Sequence, residues 1–304
     1  MYSLHDEVNR IAGDRTSGAS AIFEAVLSVL ESALDQGMAI PPLARGLVRA
    51  QPTMGPVWRA AIEALAATDE PGRFARFAQR ARRAPAALTR VAVEMLGGDQ
   101  PSSHIHLVTL SYSGAVVRAV AALRGRTSVH VSCAEGRPAL EGRRLAADLA
   151  AAGIAVTCYS DAAIAGALGE ASAVILGADA IAPDRFFNKA GTRMLAAAAA
   201  ARGVPVYVLT TREKFVAGIV AGQLSIREES PDEIWPQPPA GVEVRNRYFE
   251  TTSLDLVSGV ITDAGAVGPA DVPDVCAATL DDAARRALAL LTDEARAEGG
   301  RAEG

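Results

Sequence analysis

Aromatic residues are scarce in this sequence: they make up 5% of 304 residues, although half of the chain is hydrophobic. Alanine and the aliphatic side chains must therefore fill most of the interior. Cysteine is scarcer still. Cys133, Cys158 and Cys276 are odd in number and widely spaced, so they form neither a C-x-x-C pair nor a disulfide ladder, and a reducing, cytoplasmic setting is expected. A basic excess is also lacking. The formal net charge is −5 at pH 7, which argues against a protein held on nucleic acid by bulk charge, because such binding needs a concentrated basic surface. A single basic pocket is compatible with it. No apolar run approaches the ~20 residues of a membrane span, and the start of the chain carries Asp6 and Glu7 where a signal peptide would carry bases and an apolar stretch. No membrane partner is expected. Histidine is sparse as well. His104 and His106 would share one face of a strand, but no cysteine or carboxylate stands nearby, and no metal site is expected.

What is present divides the chain in two. The length alone suggests about two domains. Residues 1–98 read as helices only: Ile22, Phe23, Val26, Leu27 and Leu30 recur at helical spacing, Gly37 stops that helix, and Pro41–Pro42 open the next. Further helices are expected from about Met54 to Ala67 and from Arg73 to Leu96. The six arginines of the last one are read as a solvated face offset by acids elsewhere. Gly97 to Pro101 is a break in composition, and a second domain is expected over 99–304.

In that second domain short β-rich runs occur at 105–110, 128–133, 155–159, 173–176, 204–209 and 257–262. Helical stretches fall near 114–124, 139–152, 161–170, 189–202 and 279–293. This alternation implies an α/β fold, a Rossmann-like, doubly wound and mostly parallel sheet covered by helices on both faces. The stretch 216–256 reads as long and irregular, rich in Pro and acids, and such a stretch in a compact fold usually serves function or packing. No G-x-G-x-x-G follows the first strand, so dinucleotide binding loses its main support.

Ligands of such sheets bind beyond the carboxyl ends of the strands. Those ends hold Ser111, Ser113 and Gly114; Arg137; Asp179; Asn188, Lys189, Gly191 and Thr192; and Lys214. Arg137, Lys189 and Lys214 are cations, and the N–H groups at Ser113–Gly114 and Gly191–Thr192 would lie at helix starts, so the set suits phosphate or another oxyanion. Asp179 is a carboxylate in a half-apolar setting, fit for proton transfer, and Asn188 can orient a hydroxyl. Singly these are ordinary surface or capping residues. Jointly, on one rim, they favour a small phosphorylated ligand.

Gly177–Ile181 followed by Asn188–Thr192 resembles the signature of the initiation factor 2B alpha/beta/delta and sugar-phosphate isomerase family. Glu135-Gly136-Arg137-Pro138 with Glu141-Gly142 is similar to its E-x-R-P element. Lys214-Phe215 is similar to its loop after the next strand, and Arg15-Thr16-Ser17-Gly18-Ala19 to its N-terminal phosphate loop. The resemblance runs from about residue 14 to 272, and the 222–262 stretch is most like the ribose-1,5-bisphosphate isomerase branch. It implies an N-terminal helical domain before a Rossmann-like one, a homodimer or larger homo-oligomer, and a phosphorylated sugar or nucleotide monophosphate bound between the domains by Arg15, Gly18, Ala19, Ser113, Arg137, Asn188, Lys189 and Lys214. In the isomerases a cysteine and the Asp of G-A-D move protons between C1 and C2 without a cofactor. Asp179 fills the second role. The cysteine's place is taken by Ser111, whose hydroxyl is far less acidic than a thiol of pKa ~8.5. Cys133, one strand over, is read as a buried strand residue before it is read as a substitute. Gln51 stands where the family has arginine, and Ser111-Tyr112-Ser113 with Arg118 is more like the regulatory subunits. Two readings stay open: an aldose–ketose isomerase using Asp179, and a non-catalytic regulatory subunit that senses the same ligand.

Overall fold

In a computed structural model of the chain the described residues are 4–14, 18–97 and 104–299. The first half is helical. It comprises α1 (Leu4–Gly13), α2 (Ala19–Asp35), α3 (Ile40–Ala50), α4 (Gly55–Ala66) and α5 (Arg73–Leu96). Then β1 (His104–Thr109), α6 (Gly114–Leu123), β2 (Ser128–Ala134), α7 (Glu141–Ala151), β3 (Ala155–Tyr159) and β4 (Ala173–Leu176) follow in order. After them come β5 (Ala180–Ile181), β6 (Arg185–Lys189), α8 (Thr192–Ala200), β7 (Val206–Leu209), α9 (Gly218–Ala221) and β8 (Phe249–Ser253). The chain closes with β9 (Gly259–Thr262), β10 (Gly265–Val267), α10 (Val272–Ala277) and α11 (Asp282–Gly299).

Seven strands form one sheet in the order β10-β9-β7-β4-β1-β2-β3, parallel except for β10, which turns back along β9. The central strands are the near-continuous apolar runs of the sequence: every residue of β4 and β9 is buried, as a strand covered on both faces must be. Val116, Val120 and Leu123 of α6 and Leu145 and Leu149 of α7 cover one face. Leu195 and Ala199 of α8 and Cys276 of α10 cover the other. The doubly wound α/β architecture expected from the pattern is therefore present.

Two long helices tie the halves together. α5 packs Phe74, Phe77 and Ala81 into the helical core, and Leu88, Ala92 and Val93 against the sheet. Past the last strand, α11 returns to the helical half, where Leu280, Ala284, Leu288 and Leu291 share the core with α3 and α4. Removing a buried leucine from cores of this kind costs about 2–5 kcal/mol. The arginines of α5 do meet acids: Arg82 pairs with Glu24 and Glu31, and Arg73 pairs with Glu63, Glu70 and Asp281.

A smaller antiparallel sheet, β5-β6-β8, was not anticipated from the sequence. It makes a strand of the segment that reads as a helix start: Asn188 pairs with Glu250 and Lys189 with Phe249, and α8 begins only at Thr192. The expected helix over 161–170 is a 3₁₀ turn, Ile164–Gly169. Among the described residues no helix is long and apolar enough to cross a membrane.

Candidate functional site

A cavity of about 600 Å³ opens where the carboxyl ends of the parallel strands face the helical half. Gly18, Ala19, Ser111, Ser113, Asp179, Asn188, Lys189 and Lys214 all line it. Arg15 lies outside the described residues.

The loop after β1 brings in the serines. Ser111 holds a left-handed backbone, φ 59°, which is uncommon for a residue with a side chain. Ser113 caps α6, its Oγ accepting from the Val116 N–H at 3.4 Å. The loop after β4 lies directly against it. A Cβ at Gly177 would stand 2.7 Å from Ser113 Oγ and 2.9 Å from its Cβ, so the close approach of the two loops requires glycine there.

Two residues on, Asp179 is fixed through its backbone. Its N–H donates to Phe187 O at 2.8 Å, and its carbonyl accepts from the Gly55 N–H at 3.0 Å. Burial raises the pKa of its carboxyl, while Lys214 first and Lys189 second oppose the rise. Burial likewise lowers Lys214, whose Nζ donates to Ala178 O. Asn188 is held by a chain of bonds: its Nδ2 donates to Thr192 Oγ1 at 2.9 Å, and that hydroxyl donates to Lys189 O at 2.6 Å. Lys189 is 4% exposed, and its Nζ donates to Glu141 Oε1 at 2.6 Å.

Two expectations need correction. Arg137 is exposed and does not line the cavity. The N–H groups of Gly136 and Arg137 both donate to the Asp161 carboxylate, at 2.8 and 2.7 Å, which fastens this loop to the segment after β3. The start of α8 is not open to a phosphate either: Gly191 and Arg193 donate their N–H groups to Glu250 Oε1 at 2.9 and 2.8 Å. Cys133 is a buried strand residue, as expected; it lies outside the cavity lining, and burial pushes its thiol well above the usual range. Burial of this kind disfavours the thiolate.

Arg118, Arg144, Glu141 and Tyr248 also line the cavity and were not read as site residues. Arg118 sits at α6 position five, one turn after the Ser113 cap, and that spacing was the available signal. Glu141 opens α7, and only its contact with Lys189 marks it out. Among the described residues no cluster of three or more His, Cys, Asp or Glu side chains is placed to hold a metal ion.

Residues 69–269 match the model of the initiation factor 2 subunit family. The chain belongs to this family. It is 36% identical over 148 residues to the ribose 1,5-bisphosphate isomerase of Archaeoglobus fulgidus, covering 46% of each chain. It is also 34% identical over 197 residues to the methylthioribose-1-phosphate isomerase of Thermosipho africanus, covering 60% of this chain and 57% of that one. The chain thus spans about half the length of the curated relatives it matches. Among solved structures, the translation initiation factor eIF-2B of Pyrococcus horikoshii OT3 superimposes with a TM-score of 0.72 at 25% identity, covering 88% of this chain and 97% of that one. The family fold accounts for the helical half ahead of a mostly parallel sheet.

Proposed function

We propose that this family member binds a phosphorylated sugar in the cavity and interconverts its aldose and ketose forms, with Asp179 carrying the proton. The conversion takes a proton from C2 of the open-chain aldose and returns one to C1 of the enediol, while the hydroxyl proton passes from O2 to O1. C2 is oxidised as C1 is reduced, so the step balances without an external oxidant or reductant. It needs a group that can both accept and donate a proton, and positive charge near the oxygen that becomes anionic. The observation that carries the reading is Asp179: a carboxyl in the cavity wall whose burial favours the protonated form, with the cations Lys214 and Lys189 as its electrostatic neighbours. Relatives named for isomerases of sugar phosphates support the same class of reaction.

A second reading, ligand binding without turnover, is supported by Ser111. The hydroxyl at that position can donate a hydrogen bond but exchanges its proton poorly at neutral pH. A thermal-shift panel of pentose phosphates, hexose phosphates and nucleoside monophosphates tests the shared premise. Stabilisation by a pentose phosphate is expected, and no shift across the panel would contradict it. Product analysis on the stabilising compounds then separates turnover from binding.

A further inference from the structure

Two of the three cysteines stand side by side on neighbouring strands. In the parallel register of β2 and β3, Cys133 is paired with Cys158, two positions on from Val131 with Val156. Residues two apart on a strand share a face. Val156 packs against the cluster that holds Val131, Cys133 and the α7 residues Leu145 and Leu149, so both cysteines belong to the face that α7 covers. Neither lines the cavity. Cys276 is on the opposite face, its thiol donating to Ile181 O at 3.5 Å.

The two differ in access. Cys133 is fully buried, and its thiol donates to Gly142 O at 3.8 Å. Cys158 is exposed, with its Sγ 4.0 Å from Tyr159 O. The thiols also bear on each other: burial first and Cys158 second hold the Cys133 thiol in its protonated form. Among the described residues β3 is an edge strand, with β2 as its one neighbour in the sheet.

This placement brings the cysteines within bonding range. Neighbouring strands run about 4.7–4.9 Å apart, inside the Cα separation of about 4.4–6.8 Å that a disulfide accepts. The preferred Cβ separation, about 3.8 Å, is shorter by roughly 1 Å than the strand spacing. An edge strand bonded on one side can lean inward by that amount. The resulting bond is strained, and strained disulfides are the readily reduced ones.

We propose that Cys133 and Cys158 form a reversible redox site, closed to a disulfide by a hydroperoxide. The exposed Cys158 sulfur attacks the peroxide: an S–O bond forms, the O–O bond breaks, and water or an alcohol leaves, with Cys158 as the sulfenic acid. The Cys133 sulfur then displaces that hydroxyl. The S–S bond forms, the S–O bond breaks, and the Cys133 proton departs with the hydroxyl as water. The two thiols give up two electrons and two protons, and the peroxide is reduced. A dithiol restores both thiols by exchange. In a reducing setting such a bond is transient, which suits sensing better than structural support.

Peptide mapping of the full chain tests this. The folded protein is treated with hydrogen peroxide, denatured in N-ethylmaleimide to block the remaining thiols, and digested with and without dithiothreitol. A link between Cys133 and Cys158 within one chain is expected, lost on reduction, with Cys276 alkylated. Cys276→Ser should give the same link. Cys133→Ser should leave Cys158 as a sulfenic acid that dimedone traps, and if that variant does not fold, the wild-type map decides. Cys158 carried to sulfinic acid while Cys133 stays reduced, links formed only between chains, or three unmodified thiols would overturn the proposal. No ligand enters the measurement, so its failure leaves the sugar-phosphate reading standing.

Discussion

Gly55 and Asp179 are joined by a main-chain hydrogen bond, the Gly55 N–H donating to Asp179 O at 3.0 Å. Gly55 begins α4, so the bond anchors the helical half to the loop that carries the candidate proton-transfer group. There is no room for a side chain at that contact: a Cβ on Gly55 would stand 2.9 Å from Ala180 Cβ and 3.0 Å from Lys214 O.

Gly55→Ala is therefore expected to destabilise the protein. Helix propensity alone would favour alanine by up to about 1 kcal/mol, but overpacking against backbone costs about 1–3 kcal/mol. The neighbours here are strand and loop backbone that cannot move cheaply. Urea unfolding should show a net loss of about 1–2 kcal/mol, with reduced ligand binding because Asp179 and Lys214 are displaced together. A more stable variant would show that the two segments are not rigidly opposed.

Asp179 should leave a mark on stability as well as on activity. Its pKa is raised by burial, so the folded state keeps the proton over a range in which the unfolded chain, with a pKa of ~3.9, has lost it. The folded state binds more protons in that range, and stability falls as pH rises through it. Asp179→Asn removes this dependence. The variant should melt above the wild type at pH 7, and the gap should close as pH falls toward about 4. A variant that is less stable at pH 7, or a gap that is unchanged in acid, would contradict the assigned shift.

Ser111→Cys should raise the isomerisation rate tenfold or more. The change keeps the size and the left-handed backbone, φ 59°, and replaces a hydroxyl by a thiol that ionises far more readily. Steady-state kinetics with a pentose phosphate provide the check. An unchanged rate in a folded variant that still binds sugar would mean that the hydroxyl at this position does not limit the chemistry.

Much of the fold could be read from the sequence because the parallel strands are buried on both faces and so appear as short apolar runs between helical stretches. The strand over 185–189 could not. Its sequence, Arg-Phe-Phe-Asn-Lys, follows neither alternation nor a pure apolar run, and its pairing with residues 249–253 is set by a segment sixty residues away. The rim position of Asp179, Asn188, Lys189 and Lys214 followed from their places at strand ends. Arg137 occupies an equivalent place, yet its loop is held by the Asp161 carboxylate and its side chain is exposed outside the cavity lining, a contact between separate loops with no local signature. Arg118 and Glu141 were visible only as letters of motifs, because what distinguishes them is a missing partner and a present one, and both are properties of the packed structure.

The central claim is that Asp179 moves a proton on a bound sugar phosphate. It is tested most directly by NMR of a pentose phosphate incubated with the protein in D₂O, comparing wild type with Asp179→Asn. The account predicts that the wild type forms the ketose, with deuterium at C1 wherever the proton on Asp179 exchanges with solvent before its return, and that the variant binds the sugar with similar affinity but gives neither product nor exchange. Undiminished conversion by Asp179→Asn, or a wild type that binds the sugar and gives neither ketose nor exchange, would contradict it.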